Sequence, residues 1–127
     1  MITVGDIVRD QEPAHLPSDS SIRQAARYMV EQGVGSVLVM AEGAVKGIFT
    51  ERDALRIIVA TRRNPDHTRL SDVMTGEPQT LPPEATLQEA AQAMTAGKFR
   101  HLPVVEDGQV LGVISQRDLI AAGVAEG

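Results

Sequence analysis

The chain contains the stretch Gly47-Ile48-Phe49-Thr50-Glu51-Arg52-Asp53, and contains it again as Gly112-Val113-Ile114-Ser115-Gln116-Arg117-Asp118. Each copy is predicted to be a strand end that runs directly into a helix. A helix N-terminus favours phosphate, and a carboxylate in its first turn can accept from the hydroxyls of a ribose. A glycine leaves room for a base or sugar beside the strand. The pattern predicts that each copy contacts a nucleotide, through Gly47, Thr50 and Asp53 and through Gly112, Ser115 and Asp118.

The same two stretches have a second interpretation that needs no ligand. A hydroxyl residue followed three positions later by an acid forms the N-terminal cap of many helices. The acid also interacts favourably with the helix dipole. Thr50 with Asp53, and Ser115 with Asp118, fit this pattern as well as they fit a nucleotide. Local sequence leaves both interpretations open.

The two stretches belong to a longer internal repeat. With a shift of 65 residues, positions 16–55 align with 81–120 without a gap, and eleven of the 40 aligned positions are identical. We therefore predict two copies of one unit, at residues 1–64 and 65–127. Because a unit of about 60 residues buries little surface alone, the copies are expected to pack together with pseudo-two-fold symmetry.

The composition excludes several classes of protein. The 127 residues are 43% hydrophobic and 2% aromatic, so the core must be aliphatic. The net charge of −5 and the lack of aromatics argue against a nucleic-acid partner. No cysteine is present, no apolar run approaches a membrane span, and the N-terminus does not resemble a signal peptide. We expect a cytoplasmic protein with no membrane partner.

Each repeat is predicted to contain a strand, a helix, a hairpin and a second helix, which makes the fold α/β (α+β). Ser21 and Thr86 each begin a capping box, and Gly33 suits the end of the first long helix. That helix is expected to bury an apolar stripe formed by Ile22, Ala25, Ala26, Met29 and Val30. A helix from Thr50 to about Thr61 is expected to bury Ala54, Leu55, Ile57 and Ile58.

This order of elements, with Gly-hydrophobic-x-Thr/Ser-x-x-Asp closing each unit, resembles a pair of CBS domains (cystathionine-β-synthase domains), the arrangement called a Bateman module. The stretch Phe99-Arg100-His101-Leu102-Pro103-Val104-Val105 also carries the resemblance, which covers residues 2–123. It implies two β-α-β-β-α repeats and a regulatory module that signals by conformational change. Such modules bind AMP, ADP, ATP, NAD(H) or S-adenosylmethionine in the cleft between the repeats. It also implies a stand-alone homodimer that regulates a protein which the sequence does not identify.

Four further residues are predicted to contact the ligand. The resemblance implies that Arg100 and His101 face a phosphate and that Thr80 contacts the base or ribose. Arg117 carries a guanidinium group, whose geometry suits phosphate. A solvated surface is the alternative for each basic side chain.

The sequence is also compatible with a function other than nucleotide sensing. The module could be a ligand-free interaction or dimerisation module in which the motifs act only as helix caps. The three histidines lack metal-ligand spacing, so no metal site is expected. No nucleophile arrangement is apparent, and we expect neither catalysis nor a catalytic cofactor.

Overall fold

The computed structural model describes residues 1–124, and these form two compact units. The internal unit is Ala14–Pro78. The split unit combines Met1–Pro13 with the described part of Gln79–Gly127. Both units mix helices and strands, which confirms the predicted α/β class. Within residues 1–124, no helix has both the length and the apolar character needed to cross a membrane.

The internal unit is a four-stranded sheet covered by helices. Strands β1 (His15–Pro17) and β2 (Ser36–Ala41) are parallel, and β2 is followed by the antiparallel β3 (Ala44–Thr50) and β4 (Thr75–Gly76). The helices are α2 (Ile22–Gln32), α3 (Glu51–Leu55) and α4 (Leu70–Val73), and a π-helical turn, Arg56–Ala60, continues α3. The core contains Ile22, Ala25, Met29, Val37, Val39, Phe49, Ala54, Ile57 and Leu70.

The split unit has the same plan with fewer strands. It contains α1 (Val4–Val8), α5 (Leu87–Gly97), the hairpin of β5 (His101–Glu106) and β6 (Gln109–Ser115), and α6 (Gln116–Ala121). The predicted first strand of this repeat is reduced to one bridge, between Leu81 and Val104. The core contains Val4, Val8, Ala85, Leu87, Ala90, Met94, Leu102, Val104, Ile114 and Leu119.

The two hairpins keep the same register under the 65-residue shift. Val39 lies opposite Gly47 in the internal unit, and Val104 lies opposite Gly112 in the split unit. Each hairpin has its irregularity directly after that valine. The repeat seen in the sequence is therefore a repeat of backbone pairing.

The compact units and the predicted sequence repeats assign the short helices differently. Helix α1 lies within the first predicted repeat, residues 1–64, yet it packs against β5 and β6 of the split unit. Helix α4 lies after the repeat boundary at 64/65, yet its Leu70 is in the core of the internal unit. Each repeat thus completes its core with a short helix that the sequence places outside it.

Two predicted apolar faces were too wide. Val30 is 82% exposed and Leu55 is 66% exposed, whereas Ala26 and Ile58 are half-buried. Successive residues of a helix turn by about 100°, so Val30 stands about 80° from Ile22, on the side away from Ala25. Leu55 is displaced from the buried Ala54 in the same way. The predicted single helix from Thr50 to Thr61 is also interrupted, because it becomes π-helical after Leu55.

Candidate functional site

The two motifs are reciprocal helix caps. At the end of β3, the Thr50 hydroxyl accepts a hydrogen bond from the Asp53 amide at 3.1 Å, and Asp53 Oδ2 accepts one from the Thr50 amide at 3.0 Å. At the end of β6, the corresponding Ser115 and Asp118 distances are 3.1 Å and 2.8 Å. All four side chains are half-buried. The capping interpretation is therefore realised at both copies.

The first helical amides also have partners inside the protein. Glu51 N donates to the carbonyl of Gly35 at 3.0 Å, and Gln116 N donates to the carbonyl of Arg100 at 2.9 Å. Together with the capping hydroxyls, these carbonyls satisfy the first and third amides of α3 and α6. A phosphate could use those amides only by replacing these bonds. The side chains around the motif are thus better placed than the helix ends to bind a ligand.

The two copies of the motif differ at the second oxygen of their aspartate carboxylates. Asp53 Oδ1 lies 3.2 Å from Arg56 Nη2. The matching position in the second repeat is Ala121, and within residues 1–124 Asp118 Oδ1 has no ion-pair or hydrogen-bond partner. Asp118 can therefore accept from a ribose hydroxyl with one oxygen while its other oxygen maintains the cap.

Gly47 and Gly112 are required for a reason other than the predicted one. A Cβ at Gly47 would lie 2.5 Å from the Thr75 carbonyl and 2.7 Å from Met74 Sδ. A Cβ at Gly112 would lie 2.6 Å from Val8 Cβ. The space that each glycine leaves on that side is filled by the protein's own chain, so it does not admit a base or sugar there.

Gln11 is a structural residue that the sequence patterns did not reveal. Its side chain donates to the Val113 carbonyl at 3.1 Å and accepts from the Val113 amide at 3.0 Å. It therefore pairs with β6 as a strand would, where the internal unit uses β4 against β3. No local signal could identify it, because its partner lies 102 residues away.

The remaining predicted residues all lie in the split unit. His101 pairs with Ser115 across the hairpin, and the Arg100 carbonyl is bonded to the start of α6. Arg117 is exposed in the first turn of α6. Thr80 is also exposed and precedes Leu81, whose amide donates to Pro103 of β5. Backbone pairing thus brings Arg100 and His101 to the Ser115–Asp118 motif, whereas the corresponding internal-unit positions are Gly35 and Ser36.

Within residues 1–124, no group of three or more histidine and acidic side chains is arranged to hold a metal ion. The side chains at the two motifs are hydroxyls, carboxylates, an imidazole and guanidinium groups. Their chemistry is that of binding a polar, anionic molecule by hydrogen bonds and charge.

Comparison with protein families identifies the relationship. The model of the CBS domain matches the chain twice, at residues 2–60 and 70–125. The chain belongs to the CBS-domain family. The predicted tandem pair of CBS domains is confirmed, and the family points to a regulatory module.

Solved CBS-domain structures show the same fold. A protein with CBS domains from Burkholderia ambifaria is 30% identical, with a TM-score of 0.89 over 94% of this chain and 92% of that one. A CBS domain protein from Pyrobaculum aerophilum, solved in complex with AMP, is 28% identical, with a TM-score of 0.82 over 92% of this chain and 89% of that one.

Among curated proteins, a mitochondrial CBS domain-containing protein of Arabidopsis thaliana is 36% identical over 114 residues, which is 86% of this chain. The chain spans 55% of the length of that relative. It spans 61% of a second relative, from Methanocaldococcus jannaschii, which is 33% identical over 113 residues. These relatives are similar to this chain over the CBS pair, and each has further sequence of its own.

Proposed function

We propose that this CBS pair is a regulatory module that binds an adenine nucleotide and signals by changing conformation. The ligand is AMP, ADP, ATP or NAD(H), and it serves as a signal rather than as a catalytic cofactor. The observation that carries the proposal is the second motif, where one Asp118 carboxylate oxygen has no partner among the described residues, 1–124, and lies in the motif that backbone pairing joins to His101 and Arg100. The AMP complex of the Pyrobaculum protein supports the choice of ligand.

Each residue of the second motif has a role in this proposal. Asp118 Oδ1 accepts from the ribose hydroxyls, while the Ser115 hydroxyl contacts the ribose or a phosphate oxygen. Arg100, His101 and Arg117 contact phosphates, and Thr80 contacts the base or ribose. In the first motif Asp53 must share its carboxylate with Arg56, so Thr50 and Asp53 form the weaker of the two sites. A bound nucleotide shifts the module only through unequal affinity for its conformations.

A thermal-unfolding screen tests whether a ligand binds at all. A compound that binds only the folded state must raise the midpoint of unfolding. We expect a concentration-dependent rise with at least one of AMP, ADP, ATP or NAD(H), and include S-adenosylmethionine as a further adenine compound. No rise with any of them at millimolar concentration would contradict the proposal.

A pair of variants separates binding from helix capping. Asp118→Ala removes the carboxylate that accepts from the Ser115 amide, together with the proposed ribose contact, whereas Glu89→Ala removes the matching carboxylate that accepts from the Thr86 amide at 3.0 Å in the cap of α5. Hydrogen bonds from Thr86 hold the pKa of Glu89 below its usual value, which shows that this cap favours the ionised carboxyl.

Loss of either carboxylate hydrogen bond should reduce stability by about 0.5–1.5 kcal/mol. We expect Asp118→Ala to weaken nucleotide binding about tenfold or more in calorimetric titration, because it removes a charge-assisted hydrogen bond. Glu89→Ala should leave the affinity unchanged. Equal affinities for the two variants would exclude the ribose role of Asp118.

A second candidate function, self-association, is favoured by an apolar surface on the internal unit. Val30, Leu55 and Val59 are 82%, 66% and 67% exposed. Val30 and Ile58 also line a groove of about 400 Å³ between α2 and the π-helical turn. We propose that a second copy of the chain covers this surface and forms a homodimer, which remains compatible with nucleotide binding and with docking to a regulated protein.

Introduction of a negative charge into the apolar surface tests the proposed dimer. Val30→Glu and Val59→Glu should each shift the molecule from dimer to monomer in sedimentation equilibrium, because each buries an unpaired carboxylate in the contact. Gln32→Glu introduces the same charge at the end of α2, outside the groove, and should leave the dimer intact. A monomeric wild-type protein at high micromolar concentration would rule out this surface as a dimer contact.

A further inference from the structure

The internal unit contains an open cavity that shares no lining residue with either motif. Its volume is about 520 Å³, which lies in the range of small-molecule sites. It lies between the first turns of α2 and the loop that leads into α4. The charged and imidazole side chains that line it are Asp19, Arg23, Arg27, Asp66, His67 and Arg69.

Backbone hydrogen bonds fix the two walls of the cavity. Ile22 N donates to the Thr68 carbonyl at 3.0 Å, Leu70 N donates to the Ser20 carbonyl at 2.9 Å, and Arg23 N donates to the Pro65 carbonyl at 3.1 Å. The buried Thr68 hydroxyl donates to the Asn64 carbonyl at 2.7 Å. The first amides of α2 are thereby satisfied, so the charge of the cavity comes from its side chains.

Three guanidinium groups face two carboxylates in this cavity. Arg23 is paired with Asp66, and their hydrogen bond lowers the pKa of Asp66 and raises the pKa of Arg23. Across residues 1–124, Arg27 and Arg69 lie in no salt bridge with an acidic residue. The three guanidinium groups exceed the two carboxylates by one positive charge, on a chain whose net charge is −5.

The folding of α2 does not require these arginines. At the positions that match Arg23 and Arg27, the second repeat has Gln88 and Gln92. Helix α5 nevertheless has the same length as α2 and the same kind of capping box. The positive charge of Arg23 and Arg27 is thus specific to the first repeat, and a helix of this kind also forms with glutamine at these positions.

We propose that this cavity binds a small phosphorylated anion, with Arg27 and Arg69 as its phosphate-binding pair. Guanidinium groups match phosphate oxygens in geometry and form strong charge-assisted hydrogen bonds. Asp19 and Asp66 supply acceptors for hydroxyl or amino groups on the rest of the ligand. The site uses none of the residues of the proposed nucleotide motifs, so it is a second input to the module. It shares Arg23 and Arg27 with the groove beside Val30.

Inorganic pyrophosphate is a suitable probe for this site. In ¹⁵N-labelled protein at constant ionic strength, we expect saturable shifts of the backbone signals of Ile22, Arg23, Thr68 and Leu70, which frame the cavity. Arg27→Gln and Arg69→Gln should each weaken pyrophosphate binding about tenfold, since each removes charge-assisted hydrogen bonds. Both variants should retain the wild-type unfolding midpoint, as expected for substitutions at surface positions.

Arg63→Gln is the matched control, because Arg63 is exposed in the same loop and does not line the cavity. It changes the net charge equally and should leave pyrophosphate affinity unchanged. Equal weakening by Arg63→Gln, or shifts that do not saturate or that appear only outside the cavity, would overturn the proposal. Nucleotide binding is followed through Ser115 and Asp118 signals, so failure at either site is read independently of the other.

Discussion

At the scale of single residues, Gly112 connects segments that lie far apart in sequence. The missing side chain of this glycine leaves room for Val8, which is completely buried, and for Gln11 Oε1, which would lie 2.9 Å from an added Cβ. Gly47 plays the same part toward Met74 and Thr75. The glycine of each motif thus lets a short helix or strand pack against the hairpin. The hydroxyl and carboxylate that follow the glycine remain available to a ligand.

Substitution of Gly112 tests this role. Gly112→Ala would place a methyl group 2.6 Å from Val8 Cβ, and such overpacking costs about 1–3 kcal/mol. We expect a lower denaturant midpoint with an unchanged slope. Gly76→Ala is the control, because its Cβ would meet only one atom, the Lys46 carbonyl oxygen at 4.0 Å. If Gly112→Ala unfolds at the same denaturant concentration as Gly76→Ala, Gly112 does not limit this packing.

The residue pairs of the candidate site were predictable, but their partners were not. Thr50 with Asp53, and Ser115 with Asp118, stand out because they recur in register. A hydroxyl and an acid three residues apart can cap a helix, hold a sugar, or do both, since a carboxylate has two oxygens. Only the presence of Arg56 beside Asp53, and of Ala121 at the matching position, separates the two copies.

At the scale of elements, α2 and α5 end in the same backbone conformation with different residues. Gly33 has φ +66° and follows α2, whereas Lys98 has φ +58° and follows α5. A residue with a Cβ is strained in this left-handed region. The end of α5 therefore carries a conformational cost that the end of α2 avoids.

Lys98→Gly should remove that cost. We expect a gain of about 1 kcal/mol in the free energy of unfolding, measured by urea denaturation. The reciprocal variant, Gly33→Lys, should lose a similar amount, because no atom lies within 4 Å of an added Cβ there and only the backbone conformation opposes it. A loss of stability in Lys98→Gly would mean that the lysine side chain stabilises the helix end.

Elements that depend on neighbouring residues were predicted well. The hairpins and the capping boxes of α2 and α5 follow from turn and cap residues within a few positions of each other. Strand β4 has only two residues and exists because Gly47 and Ile48 offer it an edge. The width of a buried helix face depends on the surface that packs against it, which is why Val30 and Leu55 were assigned wrongly.

At the scale of the whole molecule, the first residues of the chain complete the core of the split unit. Val4 and Val8 have no exposed surface, and burial of a valine contributes roughly 1.5–3 kcal/mol. Truncation of either side chain should therefore weaken a unit whose other core residues come from the second repeat.

Val8→Ala tests this dependence. We expect faster amide hydrogen exchange in β5 and β6, with little change in β2 and β3 of the internal unit, because compact units open separately. Ile2→Ala, at a position that is 56% exposed, should leave the exchange rates of both hairpins unchanged. Uniform loss of protection in both hairpins would show that the chain unfolds as a single cooperative body.

The attachment of α1 to the split unit has a consequence for synthesis on the ribosome. The internal unit, Ala14–Pro78, is continuous, so all of its strands have emerged once about 80 residues and the length hidden in the exit tunnel have been made. Helix α1 emerges before the internal unit, but β6 ends at Ser115, so α1 cannot pack against β6 until Ser115 has also emerged. Domains generally fold as they emerge. The continuous internal unit should therefore fold during translation before the split unit, which needs residues from both sides of it.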